Sequence, residues 1–93
     1  VISRTTKRFW QYFDALPHEA QRQAIRAYVL WRANPRHPSL HFKCVSEKHA
    51  AYSVRVGIHW RVVGFRSDGT REDTYTWFWI GSHAGYDQLL AGL

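Results

Sequence analysis

The sequence predicts an α+β domain, with an N-terminal αα-hairpin packed on one face of a small antiparallel sheet of three to four strands. Three observations predict it. Apolar residues recur at helical spacing as far as residue 34, the spacing changes to two from Ser39, and Pro and Gly punctuate the segments. Ninety-three residues suit one domain spanning 1–93, and a chain of this size buries roughly 60–65% of its unfolded surface. Five Trp, five Tyr and five Phe make up 16% of the chain. They fill a small core with few side chains, because each ring covers a large area. Such a composition excludes a disordered chain.

The segment TTKRFWQYFDAL (5–16) offers Thr5 or Thr6 as an N-cap, and Phe9, Phe13 and Leu16 fall at helical spacing beside Trp10. Pro17 ends this helix and opens the next, where its missing N–H is no loss. HEAQRQAIRAYVLWRAN (18–34) gathers Ala20, Ala24, Ala27, Tyr28 and Trp31 on one face, and Asn34-Pro35 stops it. LHFKCV (40–45) then alternates Leu40, Phe42 and Cys44 against His41, Lys43 and Val45. AYSVRVG sets Tyr52, Val54 and Val56 against Ser53 and Arg55. WRVVGF follows a tight connection containing Gly57, and Asp68-Gly69 is a hairpin signal. TYTWFWI (74–80) is apolar on both faces, as in a strand covered on both sides. HAGYDQLL reads as a closing helical turn that packs Leu89 and Leu90 on the core.

Thirteen Lys and Arg against seven Asp and Glu give a net charge of +6 and a pI near 10.0. This balance draws polyanions: nucleic acid, an anionic membrane surface or an acidic protein. One cysteine, Cys44, makes no internal disulfide, which favours a reducing compartment. With no apolar run of membrane-spanning length and no signal-peptide pattern, the expected location is the cytoplasm.

Strand parity carries the chemistry. Arg55 opposes the apolar face of its strand, Arg61 begins the next strand, and Lys43 lies on the polar face of 40–45. Neighbouring strands bring the three cations together. Arg grips a phosphate with paired hydrogen bonds and Lys adds a compact charge. A solvated sheet face is the plain alternative. Six histidines add groups that titrate near neutral pH. His83 is notable, because it directly follows an apolar strand and Gly81-Ser82. No HExxH, CxxC, Walker or GxGxxG motif occurs. Ser82-His83 lacks the elbow and the acid of a serine triad.

The pieces LPHEAQRQAIRAYVLWRANPRHPSLHFK, YSVRVGIHWRVVGF and WFWIGSHAGYDQLL, in this order, resemble the RelE/ParE superfamily of bacterial type II toxins from about Phe9 to Leu90. Gly-Ser-His after the last strand is closer to the RelE, YafQ and YoeB ribonuclease side than to gyrase-directed ParE. The resemblance implies a RelE-like ribonuclease fold. It also implies metal-independent cleavage of mRNA on the ribosome, leaving a 2′,3′-cyclic phosphate. By position, Arg55 and Arg61 would stabilise the phosphorane and His83 would protonate the leaving oxygen. His59 would orient substrate or act as base. Lys43 would contact phosphate, His37 matches a loop histidine, and Tyr86 would stack or donate a proton. The partners implied are a cognate antitoxin protein and mRNA on the ribosome, with no membrane, metal or small-molecule cofactor. RelE begins with a long strand, whereas only VISR precedes Thr5 here, so the first strand is short or missing. Two lysines of RelE's central strand give way to Ser53 and Arg55, which leaves the base unassigned. Two other readings remain: a non-catalytic toxin of this fold that inhibits another target such as DNA gyrase, and a degenerate toxin that only binds its antitoxin.

Overall fold

In the computed structural model, which describes residues 1–93, helix α1 (Lys7–Asp14) starts where Thr6 caps it. The Thr6 Oγ1 accepts the Phe9 N–H at 3.1 Å, which satisfies one of the free donors of the first turn. Helix α2 (His18–Ala33) follows Pro17 directly and ends at Asn34, whose N–H donates to the Leu30 carbonyl. The strands are β1 (Ile2–Thr5), β2 (Lys43–Ser46), β3 (Ala51–Val56), β4 (Trp60–Ser67) and β5 (Thr74–Ser82), and helix α3 (His83–Ala91) closes the fold.

The fold class matches the expectation, but the sheet is larger and mixed. It has five strands in the order β1-β5-β4-β3-β2. β1 lies parallel to β5, and the other pairs are antiparallel. Four residues are too few to show an alternation, so β1 left no periodic signal. Its place is decided by distant groups. Ile2 N–H donates to the Asp73 carbonyl, Thr6 N–H to the Trp77 carbonyl, and the Trp77 indole to Ser3 Oγ at 3.0 Å.

Two further expectations are corrected. The strand expected from Leu40 begins at Lys43, because Pro38–Leu40 forms a 3₁₀ turn and His41 is left-handed at φ 45°. Leu40 is buried by that turn. The Asp68-Gly69 hairpin is a longer loop between Ser67 and Thr74. Arg66 spans it, bonding Asp68 at 2.8 Å and Asp73 at 3.1 Å. These bonds, led by the one to the Tyr52 hydroxyl, raise the Arg66 pKa.

One face of the sheet packs on α1 and α2. Trp31 sits at the centre of this layer, edge-on to Phe42, Tyr75 and Trp77 with centroids 5.7, 5.5 and 5.1 Å away. Burying one such ring removes on the order of 200 Å² from water, roughly 5 kcal/mol of transfer free energy. Trp77 crosses β4 at Gly64, where a Cβ would lie 2.5 Å from its ring. A bulge between Val63 and Gly64 sets Val63 against Trp79 and Gly64 against Trp77. Phe78 is the extra residue, so Phe78 and Trp79 both turn to the opposite face. There they pack with Ala51, Val63, Tyr86, Leu89 and Leu90 under α3. The closing segment is thus a full helix, and it covers only part of its face.

Candidate functional site

The uncovered part of that face holds the charge. Residues of β3 alternate, so Ser53 and Arg55 point away from α1 and α2 while Val54 and Val56 point toward them. Register then places Arg61 directly opposite Arg55 and Lys43 opposite Ser53. With α3 as the remaining wall, a cavity of about 120 Å³ forms, lined by His41, Lys43, Ser53, Arg55, Arg61, His83 and Tyr86. No carboxylate lines it.

The arginines are held in place through their own turn. Arg61 Nη1 donates to the carbonyls of Trp60 (2.8 Å) and Ile58 (3.2 Å). Its guanidinium carbon lies 6.0 Å from the Tyr86 ring centre, within cation–π range. Arg55 Nε donates to the Gly57 carbonyl at 2.9 Å, and its Nη1 lies 3.3 Å from His41 Nε2. A guanidinium only donates, so this bond requires His41 to carry its proton on Nδ1. Like charges directly across a strand pair repel. Burial, and after it the Arg55 charge, push the Arg61 guanidinium below its ordinary pKa. An anion bound between the two arginines relieves that repulsion.

His83 is the first residue of α3. Its N–H donates to the His59 carbonyl at 2.9 Å, and Ser82 Oγ caps the helix by accepting the Gly85 N–H at 3.1 Å. One helical turn on, the Asp87 carboxylate lies 3.2 Å from His83 Nδ1. A proton on Nδ1 therefore points at Asp87 and leaves Nε2 for proton transfer. Tyr86 forms the cavity floor. Its hydroxyl donates to Ser53 Oγ at 3.0 Å, with Tyr86 7% and Ser53 2% exposed.

The structure brings Lys43, Arg55, Arg61, His83 and Tyr86 into one cavity. It does not bring in the side chains of His59 or His37. His59 lies in the β3–β4 turn and contributes its carbonyl to His83. His37 caps the 3₁₀ turn, and its Nδ1 accepts the Ser39 N–H. Tyr86 is a buried, bonded ring rather than a free stacking platform. Sequence reasoning left out Ser53, which had no signal beyond parity. His41 lines the cavity beside Lys43, the face on which the alternation set it, although a left-handed turn rather than a strand carries it there. No group of three or more His, Cys, Asp or Glu side chains is placed to hold a metal ion, and no helix is long and apolar enough to cross a membrane.

Neither a protein-family model nor a curated protein sequence matches the chain. Solved structures do. YafQ from E. coli strain BL21(DE3) aligns over 90% of this chain and 94% of its own, with a TM-score of 0.69 and 11% identity. A YoeB/ParE toxin from Agrobacterium tumefaciens aligns over 89% and 99%, with a TM-score of 0.66 and 10% identity. The RelB-RelE antitoxin-toxin complex from Methanococcus jannaschii aligns over 92% and 96%, with a TM-score of 0.62 and 13% identity. The chain therefore has the fold of the RelE/ParE superfamily of toxins.

Proposed function

We propose that this chain is the toxin of a type II toxin–antitoxin pair and a metal-independent endoribonuclease that cuts mRNA on the ribosome. The observation that carries the reading is the cavity itself. Three cations and two imidazoles converge there with no carboxylate in the lining, which suits a phosphodiester and the chemistry of its transfer. The fold supports it too, since the neighbours of this fold are toxins and one was solved with its antitoxin.

The RNA 2′-oxygen attacks the adjacent phosphorus, the bond to the 5′ oxygen breaks, and a 2′,3′-cyclic phosphate and a 5′-hydroxyl form. Arg55 and Arg61 stabilise the charge of the phosphorane, and Lys43 binds a phosphate oxygen as a point charge. When the phosphate takes the Arg55 donors, His41 Nε2 is released. It then accepts the 2′-hydroxyl proton, a role we give to His41 because it lines the cavity and the His59 side chain does not. His83, protonated and oriented by Asp87, gives a proton to the leaving oxygen. Tyr86 holds Ser53 and the floor of the site. The net positive charge of the chain suits an acidic stretch of the antitoxin, and the protein works in the cytoplasm.

The test is induced expression in bacteria followed by primer extension on cellular mRNA. New 5′ ends within translated frames are expected, and Arg55→Ala should abolish them. A protein from the neighbouring reading frame should restore growth. Growth arrest with intact mRNA would reject the ribonuclease reading in favour of a different target.

A further inference from the structure

Arg55 borders two hollows at once. Besides the basic cavity it lines a trough of about 490 Å³ on the far side of the β3–β4 turn. Gln23, Arg26 and Leu30 of α2 form one wall, and Ser39, Gly57 and Ile58 face them. No Asp or Glu lines this trough either. The two hollows therefore meet at one guanidinium and carry one sign of charge.

The turn is built around that junction. Gly57 has φ +60°, and a Cβ there would stand 2.6 Å from Gln23 Oε1. Its carbonyl accepts from Arg55 Nε. One glycine thus aims the shared arginine and makes room for the Gln23 amide. Arg55 uses Nε on Gly57 and Nη1 on His41, so Nη2 keeps its donors. Arg26 pairs with Glu19 only across an exposed 3.7 Å contact, an ion pair of the kind worth little in water, so an outside anion competes for its guanidinium. Ile58 is 69% exposed, an apolar side chain at the rim with nothing packed on it.

We infer that the trough is a second subsite for the same single-stranded RNA and holds the nucleotide next to the one being cut. The inference rests on the ribonuclease reading of the cavity. Its volume lies within the range of small-ligand sites, roughly 300–1,000 Å³. Arg55 sits between two successive phosphates and Arg26 takes the outer one. Ile58 lies against the base. The Gln23 amide, with a donor and an acceptor, is the group placed to read the base edge and so to determine sequence preference beside the cut.

The experiment follows backbone amide shifts of the full chain by NMR while RNA is added. The two probes are a nucleoside 3′-phosphate and a trinucleotide made uncleavable by a 2′-deoxy central sugar. The mononucleotide should move the amides of Lys43, Ser53 and Arg61. The trinucleotide should move these and also Gln23, Gly57 and Ile58. Arg26→Gln should weaken trinucleotide binding about tenfold, as expected for one charged hydrogen bond, and flatten its log–log salt slope by about 0.7. A trinucleotide that moves the cavity amides alone overturns the inference and leaves the ribonuclease reading standing. Trough shifts without cavity shifts overturn it as well, because the two hollows would then not share a strand. If neither RNA moves either set, the inference falls, while the ribonuclease reading is decided separately by primer extension on ribosome-bound mRNA. An Arg26→Gln loss that is equal for both probes also refutes it.

Discussion

Replacing His83 with Gln separates a chemical role from a structural one, and the structure sets both magnitudes. The backbone N–H of His83 keeps its bond to the His59 carbonyl whatever the side chain, and Ser82 still caps α3. What is lost is the contact from Nδ1 to Asp87, between side chains 54% and 62% exposed. An exposed pair one helical turn apart contributes about 0.3–0.5 kcal/mol. At roughly 4–8 °C per kcal/mol for a domain of this size, Tm should fall by only about 1–4 °C. Loss of a general acid costs typically 10²–10⁴-fold, equivalent to about 2.7–5.4 kcal/mol in the barrier. The rate effect should therefore exceed the stability effect several-fold. Thermal melting and single-turnover cleavage on programmed ribosomes, run on the same preparation, measure both. A variant that melts more than about 8 °C lower yet cuts at the wild-type rate would refute the assignment and make His83 a structural residue. Asp87→Asn should fall between the two, because it keeps the imidazole but no longer orients it.

Tyr86→Phe leaves the buried Ser53 hydroxyl without its partner and should cost about 1–3 kcal/mol in urea unfolding. Adding Ser53→Ala should recover most of that loss, and a double variant as unstable as the single would show that the bond is not the cause. Gly64→Ala drives a methyl to within 2.5 Å of the Trp77 ring and should destabilise by about 1–3 kcal/mol, read as a lowered urea midpoint. The Tyr75 phenol is pushed above its ordinary pKa, chiefly by burial and then by Tyr52. The folded state thus holds this proton more tightly than the unfolded chain does. The stability it confers is complete below pH of about 10 and is lost as pH rises through the folded value. Tyr75→Phe should flatten that alkaline decline in a melting series, and an unchanged decline would place its origin elsewhere.

The parts legible in the sequence were those with a period. Phe9 and Phe13 in α1, Ala20, Ala24 and Trp31 in α2, and the alternation of β3 gave the layers and the cationic face. Lys43, Arg55 and Arg61 meet because parity survives across strands in register. What stayed hidden lacked a period. β1 is a four-residue parallel strand recruited by β5. The left-handed backbone at His41 brings its ring to Arg55 through a turn that alternation does not encode. The bulge at Phe78 lets two consecutive aromatic side chains share a face, which a strict period of two forbids. His59 and His37 show the converse: their residue type drew attention, while the backbone around them set their work.

Pairing the first strand with the fifth has a kinetic consequence. β3, β4 and β5 follow one another through local connections and can zip locally, whereas Ser3 and Trp77 are 74 positions apart. Closing so long a loop costs about 2–3 kcal/mol more than closing a turn of a few residues. β1 should therefore dock after the antiparallel strands have assembled and detach before they do. Amide exchange at Ile2 and Thr6, which bond to β5 or its preceding residue, would then outrun exchange in β3 and β4. Each opening bares the β5 edge, and the four residues Ile2–Thr5 act as a latch on a sheet already formed behind them.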